Sequence, residues 1–260
     1  METMLETSSH YDIKNRFGIV TGAASGIGQA TAVHLARMGA AVALVDLNRS
    51  GLEETAALIG RQSEASMLVF AADAADEQEV ERVVAETAEN FGSIDFLINS
   101  AGILRRSSFL DMPLEEWDLM LKVNLRGPFL YCRHTVPHMI RQGKGVIVNV
   151  ASLAGRSSSI LGGAHYTSAK HALIGLSRHM ARELSPKGLR VNAFCPGATL
   201  TAMVTNSTSP EEIEIVAASI PRRRLATAEE QAAVIGFLVS DAAVNITGAC
   251  IDSNGGSLMI

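Results

Sequence analysis

Tyr166 and Lys170 stand four residues apart in the stretch Tyr166-Thr167-Ser168-Ala169-Lys170. On a helix that spacing puts both side chains on one face. A phenol is a weak acid, with an unperturbed pKa of ~10, and a neighbouring ammonium favours the phenolate and lowers that value. The pair is therefore expected to take and give a proton near neutral pH. By itself the spacing is common, because many helices carry a surface tyrosine beside a solvated lysine. The chemistry becomes specific only if the rest of the chain supplies a reason for moving a proton.

A second group supplies one. Thr21-Gly22-Ala23-Ala24-Ser25-Gly26-Ile27-Gly28 lies between a short apolar run and a helical pattern. Glycines at such a strand-to-helix turn let the backbone approach a pyrophosphate and turn the helix N-terminus toward it. The spacing is G-x-x-x-G-x-G rather than the commoner G-x-G-x-x-G. Asp46 ends the next strand, placed to accept hydrogen bonds from an adenosine ribose. Its carboxylate would repel the 2′-phosphate of NADP. No arginine or lysine occupies the glycine turn, where Ser25 stands, and Arg49 falls at a helix start facing solvent. NAD is expected in preference to NADP.

The elements that must carry these groups follow from apolar patterning. Strands are read at Phe17–Val20, Ala41–Val45, Met67–Ala71, Phe96–Ile98, Val146–Val150, Leu189–Phe194 and Ala249–Asp252. Helices are read at Ile27–Met38, ended by Gly39, at Asn48–Ile59, capped by Asn48, and at Glu77–Asn90. A long helical region from Leu114 to Gln142 is expected to break near Gly127-Pro128. Ala164–Leu184 carries the Tyr-Lys pair. A capping box, Thr227-Ala228-Glu229-Glu230, opens a last helix running to Ser240. Strands that are continuous apolar runs and alternate with helices indicate an α/β fold, a parallel sheet of about seven strands covered by helices on both faces. Neither a linker nor a composition shift divides residues 1–260, so one domain is expected. Residues 1–14 read as a loose leader and residues 199–224 as an irregular insertion.

The 260 residues carry a formal net charge of −5 and 47% hydrophobic residues, which gives no basic footprint for nucleic acid. Three scattered cysteines indicate neither a disulfide framework nor a zinc site. No signal peptide or membrane-spanning run is read, so the expected setting is cytoplasmic. His134 and His138 have an i, i+4 spacing but lack a third ligand nearby in sequence, so no metal is expected. His165 and His171 flank the tyrosine; His165 reads as near the substrate but without a catalytic role.

Taken together, the motifs resemble the short-chain dehydrogenase/reductase family over residues 14–260. The matching pieces are Thr21-Gly22-x-x-x-Gly26-Ile27-Gly28, Asp73, Asn99-Ser100-Ala101-Gly102, Asn124, Ser152, Tyr166-x-x-x-Lys170 and Pro196-Gly197, in the family's order. The resemblance implies a Rossmann-type, doubly wound sheet with NAD(P) at its C-terminal edge. It implies that Asp73 and Ala74 contact adenine, and that Asn99, Ala101 and Gly102 line the ribose. It further implies that Pro196, Gly197, Thr199 and Thr201 border the nicotinamide, its amide and the phosphates, and that Asn124 supports a proton relay from Lys170. Ser100 replaces a usual asparagine, and Thr199 a usual aliphatic residue.

On this reading Tyr166 is the general base in oxidation and the general acid in reduction, and Ser152 hydrogen-bonds the substrate oxygen. Enoyl reductases of related fold space the tyrosine and lysine more widely, which disfavours carbon–carbon double-bond reduction. The expected activity is hydride transfer between NAD and a secondary alcohol or ketone of polyol, sugar, steroid or hydroxy-acid type. The alternatives are an NADPH-dependent 3-oxoacyl-thioester reductase and a non-catalytic NAD-binding sensor. Arg105, Arg106, Arg156 and Arg222-Arg223-Arg224 are candidates for an acidic substrate group. Residues 199–224 are expected to form a mobile lid over the substrate. A homotetramer is implied by the resemblance.

Overall fold

The computed structural model describes residues 10–260. Seven strands form one sheet: β1 (Phe17–Thr21), β2 (Ala41–Asp46), β3 (Met67–Ala71), β4 (Phe96–Asn99), β5 (Gly145–Val150), β6 (Leu189–Pro196) and β7 (Cys250–Ser253). Their order is β3-β2-β1-β4-β5-β6-β7 and every pairing is parallel. The sheet is a doubly wound, Rossmann-type arrangement. The chain winds outward from β1 to β3, returns to β4 beside β1, and winds the other way. Thr21, the last residue of β1, pairs with Val45 on one side and Asn99 on the other. The crevice of such a fold opens there, beyond the strand ends where the winding reverses.

Burial on both faces explains why the strands read as unbroken apolar runs. Alternate residues still serve different layers. Val20, Val42, Leu44 and Ile98 pack with Leu35 of α1 (Gly26–Arg37), Leu52 of α2 (Arg49–Gln62) and Leu238 of α9 (Ala228–Val239). Ile19, Ala43, Val45 and Leu97 pack on the opposite face. Their partners are Val83 of α3 (Glu77–Phe91), Leu130 of α5 (Gly127–Gln142) and Ala181 of α6 (Ala164–Leu184). Each fully buried aliphatic side chain stabilises the fold by roughly 1.5–3 kcal/mol.

Helix boundaries follow local chemistry. Asn48 accepts from Gly51 N at 3.2 Å, and Thr227 and Glu230 form the expected reciprocal capping box. The break in the long region after Leu114 falls just ahead of Gly127-Pro128 but is not made by the proline. Helix α4 (Leu114–Leu121) runs into a π-helical turn at Lys122–Arg126, which ends two residues before Pro128, and the proline sits harmlessly in the first turn of α5. The cause is Asn124, whose Nδ2 donates to the Met120 carbonyl at 3.1 Å and inserts a side chain into the helical ladder. The insertion after β6 is also more regular than expected. It holds α7 (Ala202–Thr205) and α8 (Pro210–Ser219), the latter opened by a second capping box, Ser209 with Glu212.

Of the leader read at residues 1–14, residues 1–9 lie outside the described residues. Ile13 is fully buried in the core, the His10 carbonyl accepts from Ala242 N, and nearby Arg16 pairs with Asp241 at 2.6 Å.

Candidate active site

The crevice at the reversal point is built mainly from backbone. Gly22 has φ 68°, and a Cβ there would lie 2.8 Å from the backbone of Ala101, so the turns after β1 and β4 touch. A Cβ on Gly28 would lie 2.1 Å from the Gly22 carbonyl oxygen, which brings α1 against the turn it leaves. Thr21 Oγ1 accepts from Ser100 N and Ala101 N, both at 3.1 Å, and so fastens the β4 turn to β1. Ser25, at the start of α1, makes no side-chain cap, so its hydroxyl is uncommitted to the helix. Asp46 accepts from Ala24 N at 3.2 Å through one oxygen and from Asn48 N at 2.9 Å through the other.

Gly22, Ser25, Gly26, Ile27, Gly28, Asp46, Asp73, Ala74, Ala101, Gly102, Asn124, Tyr166, Lys170, Pro196 and Thr201 line one continuous cleft. Leu47, Ala72, Ile103, Val123, Val150, Ala151 and Met203 line it too and were missed in the sequence, and Ser100, noted there only as a departure from the motif, lines it as well. Each adjoins a motif residue or faces one across the cleft, so strand ends and loop proximity were the only available signal. Asn99, Ser152, Gly197 and Thr199 are not part of this lining. The Asn99 amide turns beneath the sheet and donates to Asn149 Oδ1 at 2.8 Å. Thr199 is buried, its hydroxyl shared between the Gly197 carbonyl at 3.0 Å and Gln231 Nε2 at 3.1 Å. The Asp73 carboxylate is engaged by Ala75 N and by Lys122.

The residues fit a dinucleotide. The close glycine backbone and the uncapped helix start suit a pyrophosphate, and a carboxylate stands at the end of β2 where a ribose would lie.

Helix α6 carries the two residues first singled out. Lys170 is buried and donates from Nζ to the Val150 carbonyl at 2.9 Å; the same Nζ lies 5.7 Å from the Tyr166 ring centre. Burial lowers the Lys170 pKa from 10.5 to about 8. A Cβ built on Gly102 would lie 2.7 Å from Asn124 Oδ1 and 3.7 Å from Lys170 Nζ, so these polar atoms share one small space. Asn124 is fixed there by Ile103, whose N–H donates to Oδ1 at 3.2 Å and whose carbonyl accepts from Nδ2 at 3.0 Å.

Ser152 lies two residues beyond the end of β5. Its Oγ accepts from Ala154 N at 3.0 Å, which leaves its own hydrogen to donate. Tyr166 departs from expectation in one respect. Burial raises its pKa, against a smaller lowering by a hydrogen bond from Ser152. Lys170 does not reverse that in the protein alone: desolvation of the cleft opposes charge on both groups, and a lysine with pKa near 8 is itself only partly charged in mild alkali.

The remaining candidates are largely engaged elsewhere. Arg156 pairs with Asp252 at 3.1 Å, Arg224 with Glu230, and Arg223 with the Ala218 carbonyl. Arg106 spans from the β4–α4 loop to the insertion, donating to the Ser207 carbonyl at 2.6 Å and pairing with Glu212 at 3.3 Å. His134 lies 3.7 Å from Glu77, and no cluster of three potential metal ligands occurs among the described residues. His165 is fully buried and faces Glu116 of α4 rather than the cleft. The wall beside Tyr166 is mixed: a Cβ on Gly162 would lie 2.7 Å from Leu104 Cδ1 and 3.0 Å from both Ser159 Oγ and Tyr166 Cδ1. Leu161 packs against the insertion's cluster of Val204, Ile220 and Leu225.

Known proteins resemble this chain over nearly its whole length. A family model described as enoyl-(acyl carrier protein) reductase matches residues 22–257. The chain is 39% identical to the 2-(R)-hydroxypropyl-CoM dehydrogenase of Xanthobacter autotrophicus, over 93% of this chain and 98% of that one. It is 39% identical to the levodione reductase of Leifsonia aquatica, over 93% and 94%. It is also 37% identical to a 3-oxoacyl-[acyl-carrier-protein] reductase of Staphylococcus aureus, over 93% and 97%. Among solved structures, a short-chain type dehydrogenase/reductase from Mycobacterium marinum superposes with TM-score 0.93 at 29% identity, covering 97% of this chain and 99% of that one. A 7α-hydroxysteroid dehydrogenase complexed with NADH and 7-oxo glycochenodeoxycholic acid superposes with TM-score 0.92 at 29% identity, covering 98% and 99%.

Proposed function

The chain belongs to the short-chain dehydrogenase/reductase family, and on that premise we propose that it transfers a hydride between NAD and a secondary alcohol or its ketone. The observation that carries this reading is the convergence of Tyr166, Lys170 and Asn124 on a glycine-built cleft ending in Asp46, with Ser152 beside the phenol. A nicotinamide cofactor bound in that cleft supplies the hydride acceptor or donor. Gly22, Ser25, Gly26, Ile27 and Gly28 hold its pyrophosphate, and Asp46 holds the adenosine ribose and disfavours a 2′-phosphate. Asp73 and Ala74 border the adenine. Ala101 and Gly102 border a ribose, with Asn99 supporting β4 beneath them, and Pro196 and Thr201 border the carboxamide end, with Gly197 and Thr199 behind them.

In oxidation the Tyr166 phenolate takes the substrate hydroxyl proton, while the Ser152 hydroxyl donates to the same oxygen and orients it. In reduction the phenol returns that proton to the carbonyl oxygen. Lys170 spends one N–H on the Val150 carbonyl and turns its other donors to the cleft, where the ammonium stabilises the phenolate. Asn124, fixed against Ile103 beside Lys170, would hold a water that links Lys170 to solvent as the proton's exit. Because burial raises the Tyr166 pKa, charge on Lys170 matters most at the moment the phenolate forms. Residues 199–224 act as the lid, and the apolar side chains of Leu104, Leu161 and Met203 suit a largely uncharged substrate skeleton.

A 3-oxoacyl-thioester reductase is the second reading, favoured by the relationship to the Staphylococcus aureus enzyme; Asp46 argues against the NADPH such a reaction would use. The Tyr166-x-x-x-Lys170 spacing argues against an enoyl substrate. No helix among the described residues is long and apolar enough to cross a membrane, and we assign the protein to the cytoplasm as a homotetramer. Exposed Leu119 and Phe129 beside α6 and exposed Met259 and Ile260 at the C-terminus support association. The test is a panel of alcohols and ketones assayed with NAD and NADP by the absorbance of the reduced cofactor. Turnover confined to 3-oxoacyl thioesters with NADPH would replace the first reading with the second, and a cofactor that binds but never turns over would leave a sensor.

A further inference from the structure

Helix α6 begins at Ala164 without a side-chain cap, because its N-cap residue is Gly163. The first four N–H groups of a helix have no partner within it and must find one nearby. For Tyr166 that partner is supplied by the preceding side chain. Tyr166 N donates to His165 Nδ1 at 2.8 Å, as well as to the Gly163 carbonyl at 3.1 Å. A backbone N–H can only donate, so Nδ1 is an acceptor and the ring hydrogen sits on Nε2. Nε2 lies 2.8 Å from Glu116 Oε1 on α4, and the same oxygen accepts from Ser107 Oγ at 2.5 Å. The imidazole is 0% exposed and cannot relax into solvent.

These contacts join three segments. Gly163 N donates to the Arg105 carbonyl at 3.0 Å, and a Cβ on Gly163 would meet both His165 Cε1 and the Ser107 carbonyl at 2.8 Å. The first turn of α6, helix α4 and the β4–α4 loop therefore close around one ring. The next residue along is Tyr166, and the same loop carries Leu104, whose Cδ1 and Tyr166 Cδ1 lie 2.7 Å and 3.0 Å from where a Cβ on Gly162 would stand.

We propose that His165 is a positioning residue: its ring ties the first turn of α6 to Glu116 and the β4–α4 loop, and so sets the Tyr166 phenol against Ser152 and the substrate. This rests on the reading of Tyr166 as the acid–base group. His165 touches neither substrate nor cofactor; it acts on the direction of its neighbour. The two ring nitrogens have separable parts. Nδ1 fixes the backbone of Tyr166, and Nε2 anchors the ring to α4.

The test compares His165→Asn, His165→Ala, Glu116→Ala and Tyr166→Phe for kcat, substrate KM, NADH affinity by fluorescence titration, and melting temperature. An asparagine carbonyl takes the place of Nδ1 but cannot reach Glu116. Misplacing a reacting group by about 1 Å costs up to ~100-fold in rate. His165→Ala is therefore expected to lower kcat by ~10- to 100-fold with unchanged NADH affinity, and His165→Asn to recover a large part of that loss. Glu116→Ala, at a partly exposed site, is expected to lower kcat while leaving NADH affinity unchanged, and stands in if His165→Ala does not fold. Wild-type kcat in both alanine variants, with Tyr166→Phe inactive, would overturn the positioning role alone. A loss of kcat matched by an equal loss of NADH affinity, with no recovery in His165→Asn, would also overturn it, since that is what a structural defect produces. Turnover surviving in Tyr166→Phe would instead remove the acid–base reading beneath it.

Discussion

Replacing Lys170 with methionine separates what this residue does for turnover from what it does to stability. Lys170 is 5% exposed, and burial brings its pKa from 10.5 to about 8. A displacement of that size corresponds to about 3 kcal/mol against the charged form in the folded state. The folded pKa lies below the unfolded one, so this cost is fully present below about pH 8. It is relieved as the pH rises from about 8 toward 10.5, where the unfolded chain still holds the proton that the folded chain has lost. Methionine removes the cost but forfeits the hydrogen bond to the Val150 carbonyl, a charged-donor bond worth roughly 1.5–3 kcal/mol. The two contributions nearly offset, leaving the variant equal to wild type or about 1 kcal/mol more stable near neutral pH. Raising the pH by about two units from neutrality shifts the comparison toward wild type by roughly 1 kcal/mol. The assay is urea unfolding followed by fluorescence of Trp117, the single tryptophan, at one protein concentration because association changes apparent stability. Turnover of the same variant is expected to fall by ~100-fold or more. Destabilisation by several kcal/mol at neutral pH, or a difference that ignores pH, would refute a buried, desolvated ammonium.

Other outcomes follow from the same geometry. Gly28→Ala puts a methyl 2.1 Å from the Gly22 carbonyl oxygen and is expected to abolish NADH binding in calorimetry while the circular dichroism of the helices persists; retained binding would mean that α1 does not pack on the turn as described. Asp46→Asn removes the charge that disfavours a 2′-phosphate and is expected to raise the kcat/KM ratio of NADP to NAD by about tenfold or more, whereas an unchanged ratio would release Asp46 from cofactor choice. Arg106→Ala cuts the bond between the β4–α4 loop and the insertion, so amide exchange over residues 202–219 should quicken and substrate KM rise with NADH affinity unchanged; unaltered exchange would argue against a lid held by this arginine. Because burial raises the Tyr166 pKa, alcohol oxidation should climb with pH above neutrality as the phenolate form grows, and ketone reduction should not. A flat oxidation profile in that range, with chemistry rate-limiting, would count against a phenol base.

The sheet was legible in the sequence because its strands are buried on both faces, which leaves apolar runs such as Ala41–Val45 with no competing pattern. The capping box at Thr227–Glu230 was legible because its signature is local, and the matching box at Ser209–Glu212 obeys the same rule inside a segment that read as irregular. The π turn was not legible. It arises from a side chain, Asn124, competing for the Met120 carbonyl, and Pro128 was the more conspicuous breaker in sequence. Gly22, Gly26, Gly28 and Asp46 were read where glycine or a carboxylate had to stand for chemical reasons, whereas Asp73, Ala74, Ala101, Gly102, Asn124, Pro196 and Thr201 came only from the family resemblance. Apolar lining such as Ile103 and Met203 carries no such mark, and His165 gives nothing in sequence to show that it faces Glu116 rather than the substrate. The expectation for the Tyr166 pKa fell short because sequence spacing reports a neighbouring charge but not the desolvation that accompanies it.

The central claim is that the Tyr166 phenol moves the substrate's proton. Its most direct test is Tyr166→Phe, assayed for turnover on a substrate found in the alcohol and ketone panel and, in parallel, for NADH binding by fluorescence titration. The single lost oxygen leaves the ring's packing and the neighbouring Lys170 in place. The account predicts that turnover disappears into the background while NADH affinity stays close to wild type. A variant retaining more than about a tenth of the wild-type rate would contradict it, because a positioned acid–base group is worth ~10²–10⁴-fold.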